Sequence, residues 1–329
     1  MTKFRVGTYY GDQKLFGRND GACLYTTGIL RAIFGAENVL HLFPHGDLSR
    51  YGTFDLHWMA DWGEDALGYE KFELPSPSVY ITSDTHLGYE YRLSRARRCD
   101  WVFCNQNKAV RDFVADGIDP KRCFWLPHAF DPLAYSRGVF NPSLGDWDRE
   151  AVPLKRYDVC FVGNLNDRNR VSHLDRLFKE FPNSFYWGVQ RFHEAAEKFN
   201  QSRIVFNVSS RKELNMRHFE ALGAGAFLLS DNIPESENVF KEGEHFVGYD
   251  NMDDMIEKAH YYLDPRHEAD RERIARAGHI EAVSKHTYLH RVLAVLDTMG
   301  VPFDREAAEK LLPAIPAAAD AHAQQPVAA

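Results

Sequence analysis

Short apolar runs alternate with amphipathic segments along the first 126 residues of the chain. Six runs have the length and composition of buried strands, at residues 3–8, 39–43, 54–59, 79–82, 101–104 and 123–126. Between them, the residues after Asp20 carry Leu24, Leu30 and Phe34 at helical spacing, and residues 108–115 repeat the pattern. Strands regularly separated by helices predict a parallel sheet with helices on both faces.

The pattern stops between residues 127 and 153, where prolines and glycines are frequent. Such a segment is typical of a domain boundary. A second α/β series follows it, with further strands predicted at 157–162, 185–187 and 245–248 and helices at 252–263, 266–283 and 286–299. We therefore expect two α/β domains.

Residues 202–231 are the most informative stretch. The apolar run at 204–206 predicts a buried strand, a polar loop follows at 207–215, and a short helix ends at the small residues 223–225 before a second apolar run at 226–229. This strand–loop–helix–strand order is the building block of an open parallel sheet. Ligands of such sheets bind beyond the carboxyl ends of the strands, where backbone N–H groups at helix starts favour anions.

Arg217 and Glu220 lie three residues apart, so they share one face of that helix. An arginine at a strand end suits a phosphate, and a carboxylate suits paired sugar hydroxyls. The pair therefore indicates a nucleotide-sugar site. The alternative is a solvated ion pair that stabilises the helix by about 0.2–0.5 kcal/mol.

The loop after the predicted strand 157–162 contains Gly163, Asn164, Arg168 and Arg170. A glycine at a strand end permits close approach of a ligand to the backbone. Arg168 or Arg170 would supply a cation for a diphosphate and stabilise the charge that grows on a leaving group. Plain solvation of both arginines is the alternative.

In the first half, Arg18 and Asp20 lie at the junction of the first strand and helix, and Asp84 and His86 directly follow the fourth strand. Loop residues at strand ends carry function. A carboxylate or imidazole there could take a proton from an acceptor hydroxyl as general base, which makes Asp84, His86 and Asp20 the candidate catalytic residues. Alternatively, Asp84 caps the next helix and His86 only packs.

Composition excludes some classes of partner but does not indicate a particular reaction. The chain has 329 residues and a net charge of −8, which gives no electrostatic help towards nucleic acid or an anionic membrane. No apolar run approaches the roughly 20 residues that span a bilayer, and residues 1–10 lack the apolar core of a signal peptide. Five scattered cysteines are typical of reduced thiols in a cytoplasm. The histidines show no ligand spacing, so we expect no metal.

The stretch from Asn215 to Asp231, NMRHFEALGAGAFLLSD, resembles the C-terminal domain of spore-maturation-protein-like (CgeB-like) glycosyltransferases, a glycosyl transferases group 1-like domain. The segments at 161–164, 242–244, 249 and 285–291 are similar to the same domain, and WLPH at 125–128 resembles its interdomain crossing. The resemblance covers roughly residues 100–300.

This resemblance implies a GT-B fold: two Rossmann-like domains facing across a cleft, with a C-terminal helix that crosses back to the first domain. It implies metal-independent transfer of a sugar from a UDP- or GDP-linked donor to an acceptor hydroxyl, with no cofactor beyond the donor. Retention of configuration is our own preferred expectation. Glu220 would bind the ribose, Arg168 and Arg217 the diphosphate, and Asn215 and Met216 would offer backbone N–H groups to phosphate.

One position departs from the family. Related retaining enzymes place a second glutamate eight positions before the ribose-binding one, where this chain has Lys212, with Glu213 one step away. Both the sugar contact and the stereochemical outcome therefore stay open. The motif Asp146–Trp147–Asp148 is similar to the metal-binding Asp-x-Asp of another glycosyltransferase class, but it lies in the linker.

The expected domains are an acceptor domain (1–128), a linker (129–153), a nucleotide-sugar domain (154–284), bracing helices (285–312) and a disordered tail (313–329). A sugar-nucleotide epimerase or hydrolase of the same fold and a non-catalytic carbohydrate-binding protein remain alternatives. The acceptor, whether a glycan, a protein, a small molecule or a modified nucleobase, and the oligomeric state are undetermined by the sequence.

Overall fold

The computed structural model describes residues 3–10, 22–42, 48–61, 72–165, 167–188 and 192–311. The candidates Arg18 and Asp20 and the tail 313–329 lie outside this range. Within it, no helix is long and apolar enough to cross a membrane.

The first sheet has six parallel strands in the order β2-β1-β3-β4-β5-β6. They are β1 (Val6–Tyr9), β2 (Val39–Leu42), β3 (Leu56–Ala60), β4 (Ser78–Thr82), β5 (Trp101–Cys104) and β6 (Cys123–Trp125). Helices α1 (Ala22–Phe34), α2 (Tyr89–Arg98) and α3 (Asn107–Ala115) connect them. The strand order reverses between β1 and β3, so the sheet is doubly wound.

The crossing between the sheets contains a hairpin that the sequence pattern does not predict, made of β7 (Val139–Asn141) and β8 (Asp146–Asp148). Trp147 is buried there against Phe140, and its indole nitrogen donates to the Leu133 carbonyl oxygen over 3.0 Å. Asp146 and Asp148 are exposed on either side. The Asp-x-Asp pattern is therefore the alternation of a half-buried strand.

The second sheet is parallel, in the order β10-β9-β11-β12-β13. Its strands are β9 (Tyr157–Val162), β10 (Ser184–Trp187), β11 (Ser202–Asn207), β12 (Leu228–Asp231) and β13 (Val247–Tyr249). The connecting helices are α4 (Arg168–Glu180), α5 (Phe192–Asn200), which the sequence pattern missed, α6 (Met216–Gly223), α7 (Met252–Leu263) and α8 (Glu268–Lys285). Strand order reverses between β9 and β11, which marks the expected ligand crevice at their carboxyl ends.

Helix α9 (Tyr288–Met299) returns to the first sheet, followed by the short α10 (Arg305–Glu309). Three residues of α9, Val292, Val295 and Leu296, share a buried core with residues of β1, β3 and α1. The returning chain runs beside the outgoing one, where Tyr288 N donates to the Phe130 carbonyl oxygen over 3.1 Å. The predicted crossing back of a C-terminal helix is confirmed.

Three histidines with strongly lowered pKa values make the fold sensitive to acid. Burial lowers the pKa of His128 and His218 to about 4 and that of His286 to about 3. The unfolded chain protonates histidine near pH 6.5, so between about pH 6.5 and 4 it binds protons that the folded chain rejects. Stability is therefore present above pH 6.5 and is lost as pH falls.

We expect the free energy of unfolding to fall by about 1.4 kcal/mol per pH unit for each such histidine over that window. The substitution His218→Leu removes one of them. Between pH 7.0 and 5.5 the free energy of unfolding, measured by denaturant titration, should therefore fall by about 1 kcal/mol less in the variant than in wild type. An equal fall in both proteins would show that His218 is not held neutral.

Candidate functional site

Arg217 lies where the second sheet's crevice opens. Its Nη2 donates to the carbonyl oxygen of Val162, the last residue of β9, over 2.5 Å, and its Nη1 contacts Glu220 Oε2 over 2.6 Å. The guanidinium also lies 4.8 Å from the centre of the Phe199 ring. These contacts fix the Arg217 side chain at the carboxyl end of β9.

Glu220 is buried rather than open to the crevice, with 4% of its surface exposed. Its Oε1 accepts a hydrogen bond of 2.9 Å from the Tyr135 hydroxyl, and its Oε2 faces Arg217. An ionised carboxylate has about four lone-pair positions, so two further hydrogen bonds remain available to it. Binding of ribose hydroxyls by Glu220 requires local opening beside Tyr135, and that role stays a prediction.

Helix α6 begins with Asn215 as its N-cap, since Asn215 Oδ1 accepts from Arg217 N over 3.1 Å. The Asn215 amide also donates to Asn207 Oδ1 over 3.2 Å, which ties the helix start to the end of β11. Met216 is the first residue of the helix. The backbone N–H groups of this first turn point towards the crevice end of the sheet, as helix starts in such sheets do.

The two arginines of the first loop have different environments. Arg168 is exposed at the start of α4 and makes no ion pair or hydrogen bond with any residue that the structure describes. Arg170 instead donates to the Asn164 carbonyl oxygen over 2.6 Å and to the Val208 carbonyl oxygen over 3.0 Å. Arg170 therefore joins the loops that follow β9 and β11, and Arg168 is the cation that remains for a ligand.

Gly163 directly follows β9. A Cβ at this position would approach the Phe161 ring to 2.9 Å. A side chain at Gly163 would therefore displace the aromatic ring that also lies under the Arg170 guanidinium, at 5.6 Å. The glycine keeps this end of the crevice open.

Lys212, eight residues before Glu220, is paired within the second domain. Its ammonium group contacts the buried Asp231 carboxylate over 3.1 Å, and Asp231 also accepts from Ser209 N and Oγ. The backbone of Lys212 has φ = 55°, the left-handed region. This conformation directs the next residue, Glu213, towards the first domain.

Asp84, His86 and Glu213 meet across the two domains. One ligand atom of each lies within 4.8 Å of the others, and His86 Nδ1 is 3.9 Å from Glu213 Oε2. Burial raises the pKa of the Glu213 carboxyl group, and the neighbouring charges have smaller effects in both directions. The sequence placed Asp84 and His86 at the cleft, but Glu213 is a partner it did not identify.

Asp84 does not cap helix α2, because Gly88 occupies the N-cap position. Asp84 has φ = 45°, and its backbone N–H donates to Gln106 Oε1 over 3.1 Å. Asp84 is an exposed residue, and the His86 side chain is 25% exposed. Two carboxylates and an imidazole can ligate a divalent ion, so the expected absence of a metal stays a prediction.

A second contact holds the domains together beside this cluster. Asn107 N, at the start of α3, donates to Glu235 Oε1 of the second domain over 2.8 Å. A carboxylate at a helix start is favoured by the unpaired N–H groups there. The two candidate halves of the site therefore face each other across a narrow cleft.

Comparison with known proteins gives the fold a name. Residues 153–297 match the family model described as "Glycosyl transferase-like". No curated protein sequence matches the chain.

Solved structures of the same shape cover nearly the whole chain. HepE from Anabaena, solved with UDP and glucose, is 13% identical with a TM-score of 0.60, and the alignment covers 91% of this chain and 100% of HepE. Sucrose-phosphate synthase from Thermosynechococcus elongatus is 9% identical with a TM-score of 0.60, over 90% of this chain and 98% of the synthase. A Listeria monocytogenes protein assigned as a UDP-N-acetylglucosamine 2-epimerase is 13% identical with a TM-score of 0.53, over 93% and 98%.

At these identities the likeness shows the fold alone, and a sucrose-phosphate synthase and an assigned epimerase share it. The chain therefore has the GT-B fold, and its second domain is similar to glycosyl transferase-like proteins.

Proposed function

We propose that the protein is a hexosyltransferase that moves a sugar from a nucleoside diphosphate to an acceptor hydroxyl, with retention of configuration and without a metal ion. One observation carries the proposal: the Arg217 guanidinium is fixed at the carboxyl end of β9, beside the point where strand order reverses. Open parallel sheets bind their ligands there. UDP in complexes of HepE, which has the same fold, supports a UDP- or GDP-linked donor.

In this proposal Arg168 and Arg217 neutralise the diphosphate, together with the first turn of α6 that Asn215 and Met216 begin. Glu220 holds the ribose. The bond between the sugar C1 and the diphosphate oxygen breaks, the nucleoside diphosphate leaves with the bonding electrons, and the acceptor oxygen bonds to C1. Positive groups stabilise the charge that grows on the leaving group.

The acceptor proton passes to the leaving phosphate if configuration is retained, and Asp84 and His86 then orient the hydroxyl. If configuration inverts, one of these two residues is the base. NMR of the anomeric proton of the product shows whether configuration is retained or inverted, and inversion assigns the base to Asp84 or His86.

All five cysteines are buried and form no disulfide with one another. This supports a reducing compartment, and we propose a cytoplasmic location. The alternatives differ in what they do to a donor. A hydrolysing epimerase releases nucleoside diphosphate when no acceptor is present, whereas a carbohydrate-binding protein turns over no donor.

A thermal-shift panel of nucleoside diphosphate sugars tests the proposal. The correct donor at 100 times its dissociation constant stabilises the fold by about 2.7 kcal/mol. If no donor in the panel raises the unfolding temperature, the proposed function is wrong.

We expect EDTA to leave the donor-dependent shift in unfolding temperature unchanged, because cationic side chains supply the charge at the diphosphate. Added Mn²⁺ or Mg²⁺ should likewise change the dissociation constant of the donor by less than about twofold. This is well below the tenfold change that 1.4 kcal/mol of binding free energy produces. A donor shift that disappears in EDTA and returns with Mn²⁺ contradicts metal independence.

Arg168→Ala separates donor binding from folding. The side chain is exposed, so its removal should leave stability within about 0.5 kcal/mol, while donor affinity falls about tenfold or more because a charge-assisted contact is lost. Arg176→Ala on the same helix is the matched control, since Arg176 pairs only with Asp253 among the described residues. Equal donor affinity in both variants would remove Arg168 from the site.

A further inference from the structure

A cavity of about 60 Å³ lies at the carboxyl edge of the first sheet. Ala60 of β3, Ile81 of β4 and Leu126 after β6 form one wall, and Val292 of α9 forms part of the other. One water molecule needs about 10–15 Å³. The cavity therefore has room for a group of a few heavy atoms, and its walls are mostly apolar.

Two unpaired hydrogen-bond donors line this cavity. Trp58 and Tyr288 are 3% and 7% exposed, and neither Trp58 Nε1 nor the Tyr288 hydroxyl has a hydrogen-bond partner in the part of the chain that the structure describes. Leaving a buried donor unpaired is unfavourable, and native structures contain few such groups. Two of them at one cavity indicate a missing acceptor atom.

The cavity adjoins the acceptor side of the candidate site, because its lining residue Asn105 precedes Gln106, whose side-chain oxygen accepts from Asp84 N. Tyr288, at the start of α9, has its pKa raised by burial and then by the Glu220 carboxylate of the donor side. His128 also lines the cavity. The Asp84 carboxylate of the acceptor side raises the pKa of His128, but burial has the larger effect and lowers it. The charges of both Glu220 and Asp84 therefore reach the walls of this cavity.

Among the described residues that line it, the cavity offers no free charge to a ligand. Arg291 also lines it, but its Nε donates to the Pro127 carbonyl oxygen over 2.7 Å and its Nη2 to the His128 carbonyl oxygen over 2.9 Å. A sugar would bury several hydroxyls against apolar walls here, and unpaired buried hydroxyls are costly. A glycan end or an anionic group is therefore a poor occupant.

We propose that this cavity is the acceptor subsite and takes the end of an uncharged, mainly apolar alcohol, whose oxygen accepts one hydrogen bond, from Trp58 or Tyr288, and keeps its other lone pair for the sugar C1. This inference rests on the proposed function and narrows the acceptor to alkyl or aryl alcohols. The alcohol proton stays free to leave for the diphosphate as the new C1–O bond forms.

The test uses the full chain, the donor that the thermal-shift panel identifies, and two classes of acceptor. Product formation with p-cresol and cyclohexanol is compared with that for glucose and maltose by mass spectrometry. We expect turnover of the alcohols to be at least tenfold higher. Preference for the sugars would overturn the inference while leaving the proposed function standing, and failure of every donor to bind or react would overturn both.

The substitution Tyr288→Phe can be followed by the unfolding temperature as well as by activity. We expect KM for p-cresol to rise about tenfold, the donor-dependent shift to stay unchanged, and the unfolding temperature to stay equal or increase because an unpaired donor is removed. Tyr25→Phe is the control, since the Tyr25 ring stacks on Tyr288 at 5.5 Å and does not line the cavity. A lower unfolding temperature for Tyr288→Phe with unchanged KM would identify the cavity as a water site and overturn the inference.

Discussion

Arg217→Ala is expected to abolish the donor-dependent rise in unfolding temperature, with a loss of donor affinity of at least a hundredfold. The substitution removes a cation from the predicted diphosphate site and leaves Glu220, which is 4% exposed, without its charged partner. Breaking a buried ion pair from one side costs about 3–5 kcal/mol of stability. Isothermal titration with the donor and denaturant unfolding measure the two effects separately.

Lost stability alone could weaken donor binding, so a second variant is needed. Arg217→Met combined with Glu220→Gln removes both charges and keeps a hydrogen-bond acceptor for Tyr135 Oη. Because no unpaired charge remains buried, this double variant should regain most of the stability lost in Arg217→Ala. Donor affinity should stay lost, and wild-type affinity in the double variant would show that the diphosphate binds elsewhere.

Gly278→Ala is expected to destabilise the second domain by about 2–3 kcal/mol, since overpacking of a core costs about this much. A Cβ at Gly278 in α8 would approach the His245 carbonyl oxygen to 2.3 Å and Leu222 Cδ2 to 2.8 Å. The first of these atoms belongs to the backbone, so it cannot turn away. Helix α8 would move off the helix that carries Arg217 and Glu220.

Gly28→Ala is the matched control, because Gly28 is exposed in α1 and its Cβ would meet nothing within 4 Å. Alanine is favoured over glycine in a helix by about 1 kcal/mol, so this variant should be more stable than wild type. Denaturant unfolding of the two variants should give changes of opposite sign. Stabilisation by both substitutions would mean that α8 does not pack as closely as the structure shows.

The two parallel sheets were predictable because their strands are continuous apolar runs. Where local signals are weak, prediction failed: the hairpin β7–β8 has strands of three residues each, and α5 follows β10 without a clear start signal. The predicted strand 226–229 begins two residues later, at Leu228, because Gly225 has φ = 72° and the chain turns there. Strand ends depend on such turns, which a hydrophobic pattern does not encode.

The sequence predicted where the candidate site residues lie along the chain, but not which residues they contact. Arg217 and Glu220 share a helix face as their spacing predicts, and the sequence placed Asp84 and His86 at a strand end. The sequence did not show that Tyr135 would contact Glu220, that Arg170 would donate to the Asn164 and Val208 carbonyl oxygens, or that Glu213 would meet His86. These contacts join distant parts of the chain, so only the folded structure reveals them.

The central claim is that Arg217 and Glu220 hold the two ends of the donor's nucleoside diphosphate. A crystal structure of the complex with the donor identified by thermal shift tests it most directly. We predict diphosphate oxygens within about 3.2 Å of the Arg168 and Arg217 guanidinium nitrogens, and ribose hydroxyls within the same hydrogen-bond distance of the Glu220 carboxylate. A complex with the diphosphate bound elsewhere, and with Glu220 still paired only to Tyr135 and Arg217, would contradict the account.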